Sequence, residues 1–288
     1  MPTHMYWLDD GSFTVIRNDL DGSNEQSLVP YAQVFTGFEV ELDISNGHLY
    51  WIESSGGGGI VNRADLDGSN ATTLPAGSFV TPSDMALDLV NGHIYYVDAG
   101  QNAIYRSDLD GMNKITLFSE FGGINPFGIA LDPDSQHMYF TDDSAGNVYR
   151  ANLDGSNIVE LVSGIGTPLH IELDLAVSQM YWADDSTDEI LRANLDGSVV
   201  TSIVSTNGTP LDLALNLIDE QIYFTAASMI RRVDFDGSNV IDITSGDPRA
   251  IALPEPRGLL GIAAGVALLV FLRARDGIRT DRGRRSRN

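Results

Sequence analysis

The apolar positions of this chain come in short alternating runs, such as 129–131, 138–141, 148–150 and 158–162, separated by clusters rich in Asp, Gly, Ser and Asn. A period of two over so few residues predicts β-strands, each with one face turned to a core. The separators repeat an Asp-Gly step, as in Leu20-Asp21-Gly22-Ser23-Asn24. Asp-Gly is a strong hairpin signal because Gly takes positive φ without steric cost.

These runs belong to a repeat. Aromatic-aromatic-x-acid occurs as Tyr6-Trp7-Leu8-Asp9, Tyr50-Trp51-Ile52-Glu53, Tyr95-Tyr96-Val97-Asp98, Tyr139-Phe140-Thr141-Asp142 and Tyr181-Trp182-Ala183-Asp184. A sixth copy, Tyr223-Phe224-Thr225-Ala226, lacks the acid, and the copies stand 44, 45, 44, 42 and 42 residues apart. An Asp/Asn-Leu/Phe-Asp-Gly turn follows each copy, and a first-strand motif such as Ile129-Ala130-Leu131-Asp132 precedes each copy after the first. Four strands per unit of this length predict a propeller blade. The chain opens at the second strand of a blade. It returns at 248–253 to a segment that matches the first strand at 126–131. The expected fold is therefore all-β: a six-bladed β-propeller of four-stranded blades, residues 1–253, closed by a C-terminal strand so that no edge is left unpaired there. Residues 254–288 form a separate tail with an expected apolar helix.

The YWxD and LDGSN motifs, over about residues 4–253, resemble the YWTD (class B) repeats of the low-density lipoprotein receptor family. That resemblance implies a six-bladed propeller that binds protein or pH-sensitive partners and performs no catalysis. The chain departs from the pattern at Glu53, Ala226, Tyr96, Phe140 and Phe224. It also has no cysteines, so no EGF-like modules flank this copy, and receptor-type ligands are not carried over. The absence of Cys likewise removes disulfides, zinc-thiolate sites and thiol nucleophiles.

The net charge is −23, which argues against nucleic acid as a partner of the propeller. The charge is unevenly placed: eight arginines lie from Arg257 onward, with only Asp276 and Asp281 against them. In the body, six of the nine basic residues occupy one repeated slot, at Arg17, Arg63, Arg106, Arg150, Arg192 and Arg232. The expectation is that they bridge to the YWxD acids Asp9, Glu53, Asp98, Asp142 and Asp184 and fix blade register through bidentate pairs. Arg232 faces Ala226 and needs another acid, such as Asp242. The Asp-x-Asp-Gly-x-Asn turns allow a calcium-loop reading. They lack the later bidentate Glu, and hairpin turns are the better account. The paired aromatics read as core between blades.

The residue before each first-strand motif varies: Glu39, Asp84, Gly128, His170, Asp212 and Ala250. With Phe127 and Arg249, the residues Glu39, Asp84, His170 and Asp212 are the candidate binding set at a channel mouth. Two readings stand for them, a divalent-cation site for Ca²⁺ or another ion, and a solvated acidic rim, which is the favoured one. Phe38, Leu169 and Leu211 add apolar area on the same face. Of the five histidines, His4, His48, His93 and His137 fill a repeated slot, and His170 alone breaks it.

The tail begins Pro254-Glu255-Pro256, continues with an uncharged run at 258–272, and ends in arginines. This order resembles a PEP-CTERM sorting signal. At about 1.5 Å per residue the run is shorter than the ~30 Å bilayer core, and flanking arginines that snorkel would extend it. A plain membrane anchor through 258–272 is the alternative. Either places the propeller outside the cytoplasm. Because Met1 is followed at once by strand-like residues, an upstream start carrying the export signal is expected. The expected function is a non-catalytic, monomeric binding module at a bacterial cell surface or matrix, with a protein or polysaccharide partner. The alternative is a metal-dependent hydrolase or lactonase built on Glu39, Asp84, His170 and Asp212.

Overall fold

The structure, a computed structural model, describes residues 3–30, 36–55, 58–119 and 122–254. Within them, six antiparallel four-stranded sheets follow one another around a ring. Blade 1 is β1 (His4–Asp9), β2 (Thr14–Asp19) and β3 (Gln26–Pro30), with the last strand of the chain, β24 (Pro248–Ala252), as its inner strand. Blade 2 is β4 (Thr36–Asp43), β5 (His48–Ser55), β6 (Gly58–Asp65) and β7 (Thr72–Thr73). Blade 3 is β8 (Pro82–Asp88), β9 (His93–Asp98), β10 (Ala103–Asp108) and β11 (Ile115–Ser119). Blade 4 is β12 (Pro126–Asp132), β13 (His137–Asp142), β14 (Asn147–Asn152) and β15 (Val159–Val162). Blade 5 is β16 (Pro168–Asp174), β17 (Gln179–Asp184), β18 (Glu189–Asn194) and β19 (Thr201–Ser205). Blade 6 is β20 (Pro210–Asn216), β21 (Gln221–Ala226), β22 (Met229–Asp234) and β23 (Ile241–Ser245). Glu255, Pro256, the expected helix at 258–272 and the arginine-rich end lie outside the described residues.

The ring closes as the sequence predicts: Tyr6, Trp7 and Leu8 of β1 pair with Ala252, Ile251 and Ala250 of β24. Six apolar clusters lie between neighbouring blades. The one across the closure joins Met5, Trp7 and Ile16 of blade 1, with Ile251 of its inner strand and the adjoining Leu253, to Tyr223 and Ile230 of blade 6. Trp7, Trp182, Tyr50 and Tyr95 are among the largest fully buried side chains, so the paired aromatics are interblade core.

Each Asp-Gly turn also docks on the preceding blade. A Cβ at Gly22 would sit 2.4 Å from the Ile243 carbonyl oxygen, and one at Gly197 would sit 2.2 Å from that of Leu161. Gly is therefore required there twice over, for positive φ and for the close approach. The YWxD tyrosines reach the other way. Tyr95 donates to the Leu153 carbonyl at 3.2 Å and Tyr223 to that of Leu20 at 3.3 Å, each in the turn of the next blade.

The arginines do something other than expected. Strand register sets Tyr6, Tyr50, Tyr95, Tyr139, Tyr181 and Tyr223 opposite Arg17, Arg63, Arg106, Arg150, Arg192 and Arg232. Burial raises the pKa of Tyr50, Tyr95, Tyr139, Tyr181 and Tyr223, and the adjoining guanidinium groups of Arg63, Arg106, Arg150, Arg192 and Arg232 pull against it. Arg17 bonds Gln26. The acids lie three residues further along, about 10 Å away at ~3.3 Å per residue, too far for a bidentate pair. They hold backbone instead. Asp98 accepts from Val80 and Thr81 N–H at 2.8 and 2.9 Å, Asp184 from Thr167 and Thr187 N–H at 3.1 Å each, and Asp9 from Asp247 N–H at 2.8 Å. Asp142 accepts from Asn125 N–H at 3.1 Å, while Glu53 accepts from the Asn62 amide at 2.6 Å. Each of these aspartates thus staples the loop leading into its own blade's inner strand. In blade 6, where Ala226 replaces the acid, Arg231 donates to the Thr206 carbonyl in the corresponding loop and pairs with Asp242 at 2.9 Å. The partner foreseen for Arg232 thus belongs to its neighbour.

A chain ending at Asp247 loses β24 and exposes the edge of β1. It should lose the single cooperative thermal transition that a chain ending at Pro254 keeps, as followed by circular dichroism.

Candidate functional site

The inner strands share a local irregularity. Their register with the second strand slips between Gly37 and Glu39, Pro82 and Asp84, Pro126 and Ile129, Pro168 and Ile171, and Pro210 and Leu213. In blade 1 the slip falls between Leu8 and Asp9, opposite Ala250 and Pro248. A bulge inserts one residue, kinks the strand and re-aims a side chain. Here the skipped residue is Arg249, Phe38 and Ser83 in blades 1, 2 and 3, so that the variable residue follows the bulge, while in blades 4, 5 and 6 the variable residue lies within it. Glu39, Asp84, His170 and Asp212 reach the central cavity.

The axis has three tiers. On one side Phe38, Ser83, Phe127, Leu169, Leu211 and Arg249 line a narrow cavity of about 110 Å³. Arg249 is held there by Asp10, 2.9 Å away. On the other side a wide funnel of about 470 Å³ is lined by apolar residues including Leu42, Ile44, Leu89, Val90, Leu175 and Leu253. Between them Glu39, Asp84, His170 and Asp212 converge. The three carboxylate residues are only 3%, 1% and 2% exposed, and His170 9%. The solvated rim is thus corrected to a buried plug, because the bulge tips these side chains into the channel and not out onto the mouth. Phe127 and Arg249 border the narrow cavity, one tier away.

Within the plug, His170 Nδ1 lies 3.1 Å from Asp212 Oδ1, 3.4 Å from Asp84 Oδ2 and 3.5 Å from Glu39 Oε2. Its Nε2 is 3.9 Å from Glu172 Oε1. The carboxylates are fixed by backbone. Asp84 accepts from Met85 and Ile129 N–H, both at 2.7 Å, and Asp212 from Leu213 N–H at 2.7 Å and Ile251 N–H at 2.6 Å. Glu39 accepts from Val40 N–H at 2.9 Å.

Three buried carboxylates around one imidazole shift protons. Burial pushes Glu39 well above the usual carboxylate range, helped by the charges of Asp212 and Asp84. Burial also pushes Asp212 up to about 7, against the lowering pull of His170. For His170, burial alone would lower the pKa, but the carboxylates of Asp212, Asp84 and Glu39 outweigh it and hold the imidazole protonated well above its ordinary range.

The remaining candidates are structural. His4, His48 and His93 sit 3.4, 3.9 and 3.9 Å from Asp19, Asp65 and Asp108 of the adjacent strand. In the turns, Asp21 Oδ1 accepts from Ser23 N–H at 2.9 Å and the Asn24 amide donates to Asp19 at 2.7 Å. The carboxylates proposed for a calcium loop thus close their own hairpins. Sequence reasoning had no hold on the apolar funnel. Its signal is the apolar residue just past the inner strand in blades 1, 2, 3 and 5, at Leu253, Ile44, Leu89 and Leu175.

Residues 92–133 match the low-density lipoprotein receptor repeat class B family. That stretch runs from the turn before β9 to the end of β12, one repeat length. The fold is close to that of a chain in a crystal structure of a nidogen/laminin complex, at 21% identity and a TM-score of 0.78, covering 87% of this chain and 97% of that one. A search of curated proteins finds no match.

The proton shifts set the sign of a pH effect. Glu39 and Asp212 bind protons more tightly folded than unfolded, from reference values of 4.5 and 3.8, and so does His170, from 6.5. Their contribution is complete below the unfolded values and is lost as pH rises toward the folded ones. Held in EDTA, the protein should lose on the order of 2–4 kcal/mol between pH 4 and pH 8. Asp212→Asn should flatten the part between pH 4 and 7, as measured by urea denaturation across pH.

Proposed function

We propose that the chain is a non-catalytic protein-binding propeller displayed at a bacterial cell surface, with the apolar funnel as its contact face. The observation that carries the reading is the funnel itself. Ile44, Leu89 and Val90 are 38%, 41% and 63% exposed around its mouth, and Leu42, Leu87, Leu131, Leu173 and Leu215 line it further in. Apolar side chains grouped around one concavity on a protein of net charge −23 are the usual mark of a contact surface. The similar propeller in the nidogen/laminin complex, and the class B repeat within this chain, support a protein as the partner. A polysaccharide is the competing ligand, for which Glu41, Ser45, Asp134 and Glu172 on the funnel wall would be the polar contacts.

Display outside the cytoplasm rests on the order Pro254-Glu255-Pro256, apolar run, arginines. In this reading the tail is a PEP-CTERM-like sorting signal or a membrane anchor through 258–272. Among the described residues no helix is long and apolar enough to cross a membrane, and the run 258–272 lies outside them. The rival reading, a metal-dependent hydrolase, draws on the donor set of the plug. Against it, the funnel wall above the plug is mainly apolar.

A photo-crosslinker placed at Val90 should capture a protease-sensitive envelope partner in the source bacterium. The same group at Val199, 70% exposed on an outer turn, should not. Equal capture at both positions, or a protease-resistant adduct at Val90, would sink the reading. Cell fractionation with and without 258–288 tests the display.

A further inference from the structure

Blades 2, 3, 5 and 6 each send one polar side chain to the axis, namely Glu39, Asp84, His170 and Asp212, while blades 1 and 4 send Ala250 and Gly128. In a six-membered ring this is a two-fold pattern. Glu39 stands across from His170, Asp84 across from Asp212, and the two small residues face each other. The backbone follows the same pattern. Asp84 takes an N–H from Ile129, beside Gly128, and Asp212 takes one from Ile251, beside Ala250. Gly128 also cannot be larger, since a Cβ there would lie 2.3 Å from the Leu169 carbonyl and 3.1 Å from His170 Cα.

From these positions we propose that Glu39, Asp84 and His170 bind one first-row divalent transition-metal ion, with Zn²⁺ the best fit and Asp212 standing beside them at His170. One ring nitrogen faces three carboxylate oxygens from three other blades at 3.1, 3.4 and 3.5 Å. A single N–H serves one good hydrogen bond, not three. Around a tetrahedral Zn²⁺ with bonds of about 2.0–2.2 Å, neighbouring ligand atoms stand about 3.3–3.5 Å apart. The three distances from Nδ1 bracket that spacing, and single donor atoms of Glu39, Asp84 and His170 all lie within 4.8 Å of one another. A second observation points the same way. The other ring nitrogen of His170 has Glu172 at 3.9 Å, beyond a direct hydrogen bond but on the side where a metal-bound histidine carries its outer carboxylate.

Charge supports it. Three carboxylates with almost no exposure share one imidazole, and the nearby Arg249 is turned to Asp10. Buried charge without compensation is costly, and a divalent cation offsets two of the three negative charges at once. Ca²⁺ fits less well, because it asks for six to eight oxygens at longer range, roughly 2.3–2.6 Å. Both the funnel and the narrow cavity reach the plug, through Glu39 and His170, so an ion has a path in. The metal would tie blades 2, 3 and 5 together at the axis, independently of what binds in the funnel.

The test uses the full chain without a polyhistidine tag, stripped with EDTA and then equilibrated with micromolar Zn²⁺ or Co²⁺. Expected are one zinc per chain by mass spectrometry, a rise in Tm, and the intense visible absorption of four-coordinate Co²⁺. His170→Gln and Asp84→Asn should each weaken binding at least 100-fold and remove the Co²⁺ band. Should His170→Gln fail to fold, Glu39→Gln reads the same loss. Substoichiometric zinc with no Co²⁺ band in the wild type would overturn the proposal and leave a proton-bridged plug. Binding unchanged in all three variants would overturn it equally, by placing the ion elsewhere.

Discussion

Six wedges close into a ring only if every interface between them takes the same angle, and that constraint organises this chain. The interface is made by a device repeated around the ring: a buried aromatic pair and a glycine pressed against the preceding blade's outer strand, joined in blades 1, 3 and 6 by a tyrosine hydroxyl that reaches the next blade's turn. The glycine contacts are the least forgiving, because backbone oxygens lie where a side chain would begin. Angular error at one interface would accumulate around the ring and surface at the seam, where β24 must meet β1. Covalently distant Ala252 and Tyr6 are paired there, so the seam tests the geometry of all six interfaces together.

A repeated frame has a functional consequence. Positions that set the interblade angle are bound to their residue types, and variety collects where the blades do not touch one another in a repeated way. The inner-strand bulge creates such a position. Its residue leaves the sheet plane, meets its counterparts at the axis, and escapes the repeat. The outcome is a ring uniform at its interfaces and individual at its centre, with an apolar funnel above and a narrow cavity below.

Much of this was legible in the chain itself. Blade number, strand count and the closing strand follow from motif intervals, because hairpin turns and strand alternation are local. The partners of the arginines were legible too, and the acid was the wrong choice. In an antiparallel hairpin the sum of paired residue numbers is constant, so the pairing of Tyr6 with Arg17 forces Asp9 opposite Thr14. What the residues alone did not show was depth. Variable acids on a strongly acidic protein read as a solvated rim, since carboxylates are rarely buried. The bulge that buries them is a backbone event with no residue signature beyond the proline or glycine before it. Arg231 shows the same limit, since its use in place of the missing acid depends on a loop carbonyl.

The plug is the point at which fold and chemistry meet. A ring of carboxylates near the axis would repel itself, and each blade carrying one would be pushed outward, against the interblade packing. The chain answers in three ways at once. It leaves two opposite positions without a polar side chain, it directs backbone N–H groups at the three acids, and it supplies His170 as the one titratable cation among them. Burial still raises the pKa of Glu39 and Asp212, with the neighbouring carboxylates adding to it. An ion bound there, as proposed, would compete with protons for the same carboxylate oxygens, so that acid would favour the protonated plug and neutral or alkaline conditions the ion.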